Sequence, residues 1–344
     1  MTGNWQVDGL SVDRGGFTLG PIDLAIAPGE TVAVIGRSGS GKTTLLRALA
    51  GFAPLSGGSV ERDGESLGSA PPERRGAVYV PAGLGLFPDR TVRSNLEFPG
   101  RVRGTGDPAA VSAAADRFGV REFLERYPRT LSEGQRERVA VARATLARPS
   151  LLLWDEPLGA LDVESRRDLL AALGELRRVE RFPVVLVTHD PALGFSLADR
   201  FLVLDGGRAT FSGPGERLVA APTDAFVGRF VGYPNVFETD ELAPAAGRSE
   251  LARALIAGSG PSGVGAPAFP IAPAGPGTHA ATVERVVPGP EGHRVFANAG
   301  GLSVVLSSDV GVPPGTCRVG DPVWFVVDPE RLHPLGGSGR TQGP

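Results

Sequence analysis

The stretch Thr31–Ala50, TVAVIGRSGSGKTTLLRALA, decides the fold. It opens on a short apolar run, Thr31 to Ile35, rich in β-branched residues, and such a run reads as a buried parallel strand. Gly36, Arg37, Ser38, Gly39, Ser40, Gly41, Lys42 and Thr43 then follow the pattern G-x-x-x-x-G-K-[ST], with Thr44 next in line. Beyond them Leu45, Leu46 and Leu49 share one face of a helix that should stop near Gly51, a good residue just past a helix end. The glycines let backbone N–H groups curl around phosphate oxygens, and the helix N-terminus adds partial positive charge and free donors. Lys42 is placed to reach β- and γ-phosphates, and the Thr43 hydroxyl to ligate Mg²⁺. The plain alternative is a glycine-rich turn that binds nothing, and the lysine, threonine, strand and helix together weigh against it. The stretch implies a chain that binds a nucleoside triphosphate.

Upstream, residues 4–30 read as an antiparallel opening, with Leu19, Ile22, Leu24 and Ile26 alternating as strands that bury one face. Downstream, Gly57-Gly58 and Asp63-Gly64 punctuate a hairpin, and Ala77 to Val80 forms another apolar strand before the glycine-rich PAGLGLFP. From about 84 to 148 the pattern turns helical: Val92 to Phe98, Pro108 to Phe118, Glu122 to Tyr127, and a long helix Ser132 to Ala147. Ser132 is a natural N-cap for that helix, with an imperfect capping box because Gln135 stands at the third position. Leu151 to Trp154 is a strand ending in Asp155-Glu156-Pro157. A helix over 163–180 and a strand Val184 to Val187 follow, closed by Thr188-His189-Asp190. Leu193 to Ala198 reads as helix and Phe201 to Leu204 as the last strand of this domain. Strands alternating with helices predict an α/β fold whose ligand sits at the carboxyl ends of parallel strands. Lys42, Asp155, Glu156 and His189 all fall just past strand ends.

The bulk properties set bounds. A chain of 344 residues exceeds one ordinary core, so two domains are expected. A net charge of −3 offers no broad basic surface, which argues against a nucleic-acid partner. The single cysteine, Cys317, excludes an internal disulfide and fits a reducing compartment. The opening MTGNWQVDGL lacks the pattern of a secretory signal, and no run approaches the roughly 18 apolar residues of a membrane span. These features lead us to expect a soluble, intracellular protein. Residues 239–280, rich in Ala, Gly, Pro and Ser, read as a linker with a short helix at Glu250 to Ala257. Short strands then resume at 281–287, 293–297, 302–306 and 322–327, a small all-β module over 281–335, followed by a tail 336–344 expected to be disordered.

Leu131-Ser132-Glu133-Gly134-Gln135, then LLLWDEP, then LGALD at 158–162, then VTHD with His189, stand in an order that narrows the P-loop's meaning. Together with the P-loop they resemble the ATP-binding subunit of ABC transporters, over roughly residues 5–238. The resemblance implies a P-loop ATPase domain over 1–238, with an antiparallel β subdomain and a helical subdomain at about 84–148. It also implies ATP and Mg²⁺ as ligands, with Asp155 and Thr43 at the metal, Glu156 as the catalytic glutamate and His189 as the switch histidine at the γ-phosphate. Taken alone, Asp155-Glu156 could be a turn or a helix cap, and His189 an ordinary histidine. In the family, Ser132, Gly134 and Gln135 act in trans on nucleotide held by a partner's P-loop, and Asp162 crosses the same interface, so a homodimer is expected. The helical subdomain receives a coupling helix from a transmembrane permease; Phe87 and Leu86 are candidates for that contact, with core packing an equal alternative.

The C-terminal strands resemble the small OB/TOBE-like barrels of importer ATPases, with PNVF (234–237) a familiar run before them and IAPA (271–274) an eroded form of a common IRPE. The resemblance therefore implies an ATPase at the cytoplasmic face of the membrane, paired with a permease and an extracytoplasmic solute-binding protein. Its cargo would be an inorganic ion (ferric iron, molybdate or tungstate, sulfate) or a small organic solute. Two positions depart from the family. Counting back from LFP puts Ala82 where a glutamine normally touches Mg²⁺ and the water site. The adenine-stacking aromatic is replaced by Arg14, whose guanidinium could stack on a base, with Phe17 as the fallback. Ala82 keeps open a regulatory subunit that binds ATP and hydrolyses it weakly. A soluble ABC ATPase acting on ribosomes or DNA is the other alternative, and this chain lacks the paired ATPase halves or long coiled coils that such proteins tend to carry.

Overall fold

The computed structural model describes residues 3–159, 161–245, 249–259, 263–266, 268–272, 278–289, 292–307 and 318–335. The chain forms two compact units, Met1–Ser212 and Gly213–Pro344.

In the first unit, strands β1 (Trp5–Asp13) and β2 (Thr18–Ile26) pair antiparallel, and β1 also pairs with β4 (Gly57–Arg62), which carries the short β5 (Glu65–Ser66). The expected alternation holds: Leu19, Ile22, Leu24 and Ile26 are all buried. Beside this lies a six-stranded sheet among the described residues, in the order β10-β9-β3-β8-β7-β6. Its members are β3 (Thr31–Gly36), β6 (Ala77–Val80), β7 (Leu151–Asp155), β8 (Val184–Val187), β9 (Arg200–Asp205) and β10 (Arg208–Gly213). Pairing is parallel from β6 through β7, β8 and β3 to β9. Central strands of a parallel sheet are covered on both faces, which is why every residue of β3, β7 and β8 is buried. Strand β10 lies beyond Leu204, where the sequence predicts the last strand of this domain to end. Its side chains are mostly exposed, so it carries no apolar signal, and a Gly206-Gly207 turn with positive φ at both residues delivers it to the sheet edge.

Helix α1 (Lys42–Leu49) follows β3, with Leu45, Leu46 and Leu49 buried and Gly51 at positive φ beyond its end, as the sequence predicts. Its C-terminal carbonyls have an unforeseen partner. Arg75, in the short helix α2 (Pro72–Arg75), is buried and donates to the carbonyls of Ala48 (2.9 Å), Leu49 (3.3 Å), Ala70 (2.9 Å) and Gly68 (3.1 Å). One planar five-donor group thus joins the Gly51 N–H (3.1 Å to Ala48) in satisfying acceptors at this helix end, and also ties down the Gly68 and Ala70 carbonyls. Burial holds this guanidinium below its usual pKa.

The helical region contains α3 (Val92–Arg103), α4 (Pro108–Arg117) and α5 (Glu133–Leu146). Helix α3 runs past the expected Phe98 despite Pro99 inside it. The expected helix at Glu122 to Tyr127 is instead a 3₁₀ turn at Arg121–Phe123, with a second at Pro128–Thr130, where Pro128 starts a new turn. The capping box of α5 is complete: Gln135 N–H donates to Ser132 Oγ (3.2 Å), and Ser132 N–H donates to Gln135 Oε1 (2.9 Å). Glutamine serves as well as glutamate because the box needs only a side-chain oxygen. Helices α6 (Val163–Glu180) and α7 (Pro191–Leu197) complete the unit.

The second unit corrects the expected organisation. It begins at Gly213 rather than after 238 and includes α8 (Gly215–Ala220), α9 (Ala225–Phe230) and β11 (Asn235–Glu238). The expected linker 239–280 carries α10 (Thr239–Ala245), α11 (Glu250–Ala257), β12 (Gly263–Ala266) and β13 (Phe269–Ala272), of which the sequence predicts only α11. Pairing explains both differences. Strand β11 pairs with β12, which pairs with β18 (His333–Leu335), and Asn235 makes two side-chain bonds to the backbone of Val305. Strand β13 joins β14 (Thr278–Gly289), β15 (Gly292–Ala299), β16 (Leu302–Ser307) and β17 (Pro322–Val326) in a closed barrel. Closure leaves no edge, and Val283, Val295, Val304, Leu306 and Phe325 fill the interior side. Cys317, Pro273 and Ala274 of IAPA, and the tail 336–344 lie outside the described residues.

Candidate nucleotide site

The P-loop sits where a parallel strand gives way to a helix N-terminus. Gly41 takes φ 103°, and a Cβ there would stand 2.8 Å from Leu19 Cδ1; a Cβ on Gly36 would stand 2.1 Å from the carbonyl oxygen of Leu204. The loop's backbone path therefore excludes side chains at these two positions. Arg37, Ser38 and Gly39 form the exposed apex, and Ser40 turns inward and is buried. Lys42 folds back so that Nζ donates to the carbonyls of Gly36 (2.8 Å) and Arg37 (2.9 Å). Burial lowers its pKa, while the charges of Glu156 and Asp155 pull it back up. The ammonium is thus held at the loop mouth by oxygens that phosphate oxygens can replace.

Strand β7 delivers Asp155 beside α1. The Thr43 hydroxyl lies 3.4 Å from Asp155 Oδ1, and Tyr79 on neighbouring β6 donates its hydroxyl to Oδ2 at 2.9 Å. Burial, followed by the charge of Asp155 and that bond, pushes the Tyr79 hydroxyl well above its usual range. Tyr79 was missed in the sequence. The available signal was a hydroxyl-bearing ring in an apolar strand that pairs with the one carrying the acid. With Oδ2 occupied, Oδ1 faces Thr43. No cluster of three His, Cys, Asp or Glu side chains occurs among the described residues, so Mg²⁺ would be held by Thr43 and Asp155 together with phosphate oxygens and water. The donor set, a hydroxyl and a carboxylate beside a phosphate cradle, fits that ion.

Glu156 follows with φ 51°, a left-handed conformation unusual for a side-chain-bearing residue, and its N–H donates to the carbonyl of Val187 (3.0 Å). The turn sends its carboxylate outward, where Oε1 meets His189 Nε2 at 2.8 Å. The structure therefore brings Lys42, Thr43, Asp155, Glu156 and His189 into one site, from three strand ends as the topology requires.

Other candidates stand elsewhere. Ser132, Gly134 and Gln135 are at the N-terminus of α5, and Asp162 caps α6 by accepting from Ser165 N–H (2.9 Å). That bond, first the backbone donor, lowers the Asp162 pKa. Among the described residues these four share no hydrogen bond or ion pair with the Lys42 group. Arg14, the candidate for base stacking, lies in the turn closed by its N–H to the carbonyl of Phe17 (2.9 Å). It is the Phe17 ring that lies against the loop, with Cζ 3.2 Å from a Cβ placed on Gly41.

Ala82 is exposed in a loop in which Leu84 and Gly85 both have φ near 60°. Arg143 of α5 donates to the carbonyls of Leu84 (3.3 Å) and Gly85 (2.9 Å) and stacks over Phe87, while Asn95 of α3 bonds both the N–H and the carbonyl of Phe87. Phe87 is half-buried against Phe98, so its ring is part of this packing as well as part of the surface. Burial lowers the Arg143 pKa. Ala82→Gln should raise Mg²⁺-dependent turnover or lower the Mg²⁺ concentration needed for half-maximal rate; an unchanged Mg²⁺ titration would mean the site is complete without that amide.

Comparison with known proteins agrees with this geometry. A family model described as ABC transporter matches residues 19–159. The Fe(3+) ions import ATP-binding protein FbpC of Streptomyces coelicolor is 40% identical over 245 residues, 70% of each chain. The sn-glycerol-3-phosphate import ATP-binding protein UgpC 1 of Rhizobium johnstonii is 33% identical over 330 residues, 91% of this chain and 88% of that protein. A putative ATP-binding protein of Brucella abortus (strain 2308) is 39% identical over 232 residues, and the chain spans 66% of its length. In three dimensions the chain is similar to an ATP-binding subunit of an ABC transporter, with TM-score 0.58 and 25% identity over 63% of this chain and 92% of that one. The fold also matches the ATP-binding cassette MJ0796, with TM-score 0.56 and 24% identity over 61% of this chain and 98% of that one. With P-loop, paired acids and histidine gathered in one place, and relatives alike well beyond the P-loop, the chain belongs to the ATP-binding proteins of the ABC transporter family.

Proposed function

We propose that this chain is the ATP-hydrolysing subunit of an importer, driving solute through a separate membrane permease. The observation that carries the reading is the 2.8 Å contact between Glu156 Oε1 and His189 Nε2 beside the P-loop. It supports reading Glu156 as a proton acceptor and His189 as its orienting partner, for a water that attacks a γ-phosphate. In this reading Lys42 and the loop amides hold the β- and γ-phosphates, Thr43 and Asp155 hold Mg²⁺, Glu156 orients the attacking water and His189 contacts the γ-phosphate. Arg14 or Phe17 meets the adenine. Ser132, Gly134, Gln135 and Asp162 complete the site of a second copy, so the working form is a homodimer. No helix among the described residues is long and apolar enough to cross a membrane, which suits a subunit held at the cytoplasmic face by its permease. Relatives named for import of Fe(3+) ions, sn-glycerol-3-phosphate and, putatively, 2-aminoethylphosphonate support cargo of the inorganic-ion or small-solute class, delivered by a solute-binding protein. The β-barrel unit is the appended TOBE-like module.

The test is Mg²⁺-dependent ATP hydrolysis by the chain purified from native membranes, with co-purifying proteins identified. Lys42→Ala should weaken ATP binding and abolish turnover, and a multi-span permease should accompany the unaltered chain. Turnover that survives in Lys42→Ala, or a ribosomal or DNA-bound partner, would defeat the reading. The exposed Ala82 favours one alternative, a subunit that binds ATP and scarcely turns it over; ATP binding without Lys42-dependent hydrolysis would decide for it.

A further inference from the structure

Arg166 lies in the second turn of α6, four residues after the cap Asp162, and its N–H donates to the Asp162 carbonyl (2.9 Å). Its guanidinium leaves the helix in two directions. Nη2 donates to the carbonyl of Leu158 (3.1 Å), and Nη1 meets Asp190 Oδ2 at 2.5 Å. Each contact lands on a loop of the site. Leu158 is two residues past Glu156, and both take left-handed φ, 67° and 51°. Asp190 follows His189, caps α7 by accepting from Leu193 N–H (3.2 Å), and bonds its own N–H to Thr188 Oγ1 (3.0 Å).

Two loops that leave different strands are therefore fastened to one rigid group. A guanidinium is planar, so its two N–H edges fix both the separation and the relative orientation of what they hold. Glu156 and His189, the residues just outside these two anchor points, meet at 2.8 Å. Their contact spans two loops, and the Arg166 tie spans the same two loops from behind. Leu158 is fully buried, and the Arg166 bond to its carbonyl adds a second restraint on its left-handed backbone.

The geometry points to Arg166 as a positioning residue that sets the Glu156–His189 distance and links it to Asp162 through the first turns of α6. Its side chain acts through Leu158 and Asp190. The inference rests on the hydrolytic reading given above. Because one side chain serves both loops, its loss and the loss of its carboxylate partner should not add.

The experiment compares the full chain with Arg166→Ala, Asp190→Ala, the double variant and Arg166→Lys, by steady-state ATP hydrolysis and by amide hydrogen exchange without nucleotide. We expect kcat to fall about tenfold in each single alanine variant, with KM for ATP within twofold. The double variant should fall no further than the singles. Arg166→Lys, which can hold one loop but not both, should recover only part of the rate. Exchange at Gly159, Leu161 and the amides of Thr188 to Asp190 should quicken together in Arg166→Ala while Ser40 to Thr43 stays unchanged. Multiplicative losses in the double variant, a rise in KM at constant kcat, or loosening of only one loop would overturn the proposal. A folding defect would show as faster exchange throughout the sheet, and Arg166→Lys would then carry the comparison. Absence of Lys42-dependent hydrolysis in the unaltered chain would defeat the hydrolytic reading instead, and the exchange arm alone would decide the tie.

Discussion

Glu156→Gln should lower kcat for ATP by about 10²- to 10⁴-fold, the usual worth of a positioned general base. The geometry makes this a clean comparison. Glutamine takes the same left-handed φ at the same cost, and its side-chain amide can still bond His189, so only the carboxylate's ability to draw a proton from water is removed. ATP affinity should be retained, because Lys42 and the loop amides make the phosphate contacts in this reading. ATP-loaded Glu156→Gln should therefore accumulate as a dimer on size exclusion, whereas Lys42→Ala should not. Rates within a factor of a few of the unaltered chain would show that Glu156 is not the base.

Arg75→Ala should cost the first unit about 3–5 kcal/mol, since it removes the guanidinium donor from the carbonyls of Leu49, Ala70 and Gly68 and leaves that of Ala48 only the Gly51 N–H (3.1 Å). For a unit of this size each kcal/mol moves Tm by about 2–4 °C, so a fall of roughly 10 °C is expected in a thermal melt. Arg75→Lys should recover little, because a single ammonium cannot span acceptors arranged around a fork. Helix α1 carries the P-loop at its other end, so ATP affinity should weaken in parallel. An unchanged Tm would mean that water replaces the guanidinium without loss, which its burial argues against.

The contrast between these two residues shows what was legible in the sequence. Glu156 stood in a run of local signals: an apolar strand, an acidic pair and a following helix. Local signals of that kind also gave the P-loop, the parallel strands and the cap Ser132. Arg75 sits in PERR, a run indistinguishable from a solvated helix end until the fold folds Ala48, Leu49 and Gly68 around it. Tyr79 and Arg166 escaped for the same reason, since their partners lie on other elements. The second unit was read least well. Strands β11, β12 and β13 are four residues each, too short for periodicity, and β13 contains Pro270; they become strands only through partners far along the chain. The Ala- and Gly-rich segment between them therefore looked like linker where pairing makes it part of a folded body.

The clasp of Arg143 on the carbonyls of Leu84 and Gly85 has a mechanical consequence. Helix α5 has 14 residues and so is a rod about 21 Å long. Arg143 grips the surface loop from the last turns of that rod, and Ser132 caps its opposite tip. The Phe87 ring lies under the same guanidinium, so the loop bearing Phe87 and the rod that Ser132 caps share one side chain. The loop bearing Phe87 is thus joined to the helix bearing Ser132 by contacts that do not involve residue 82.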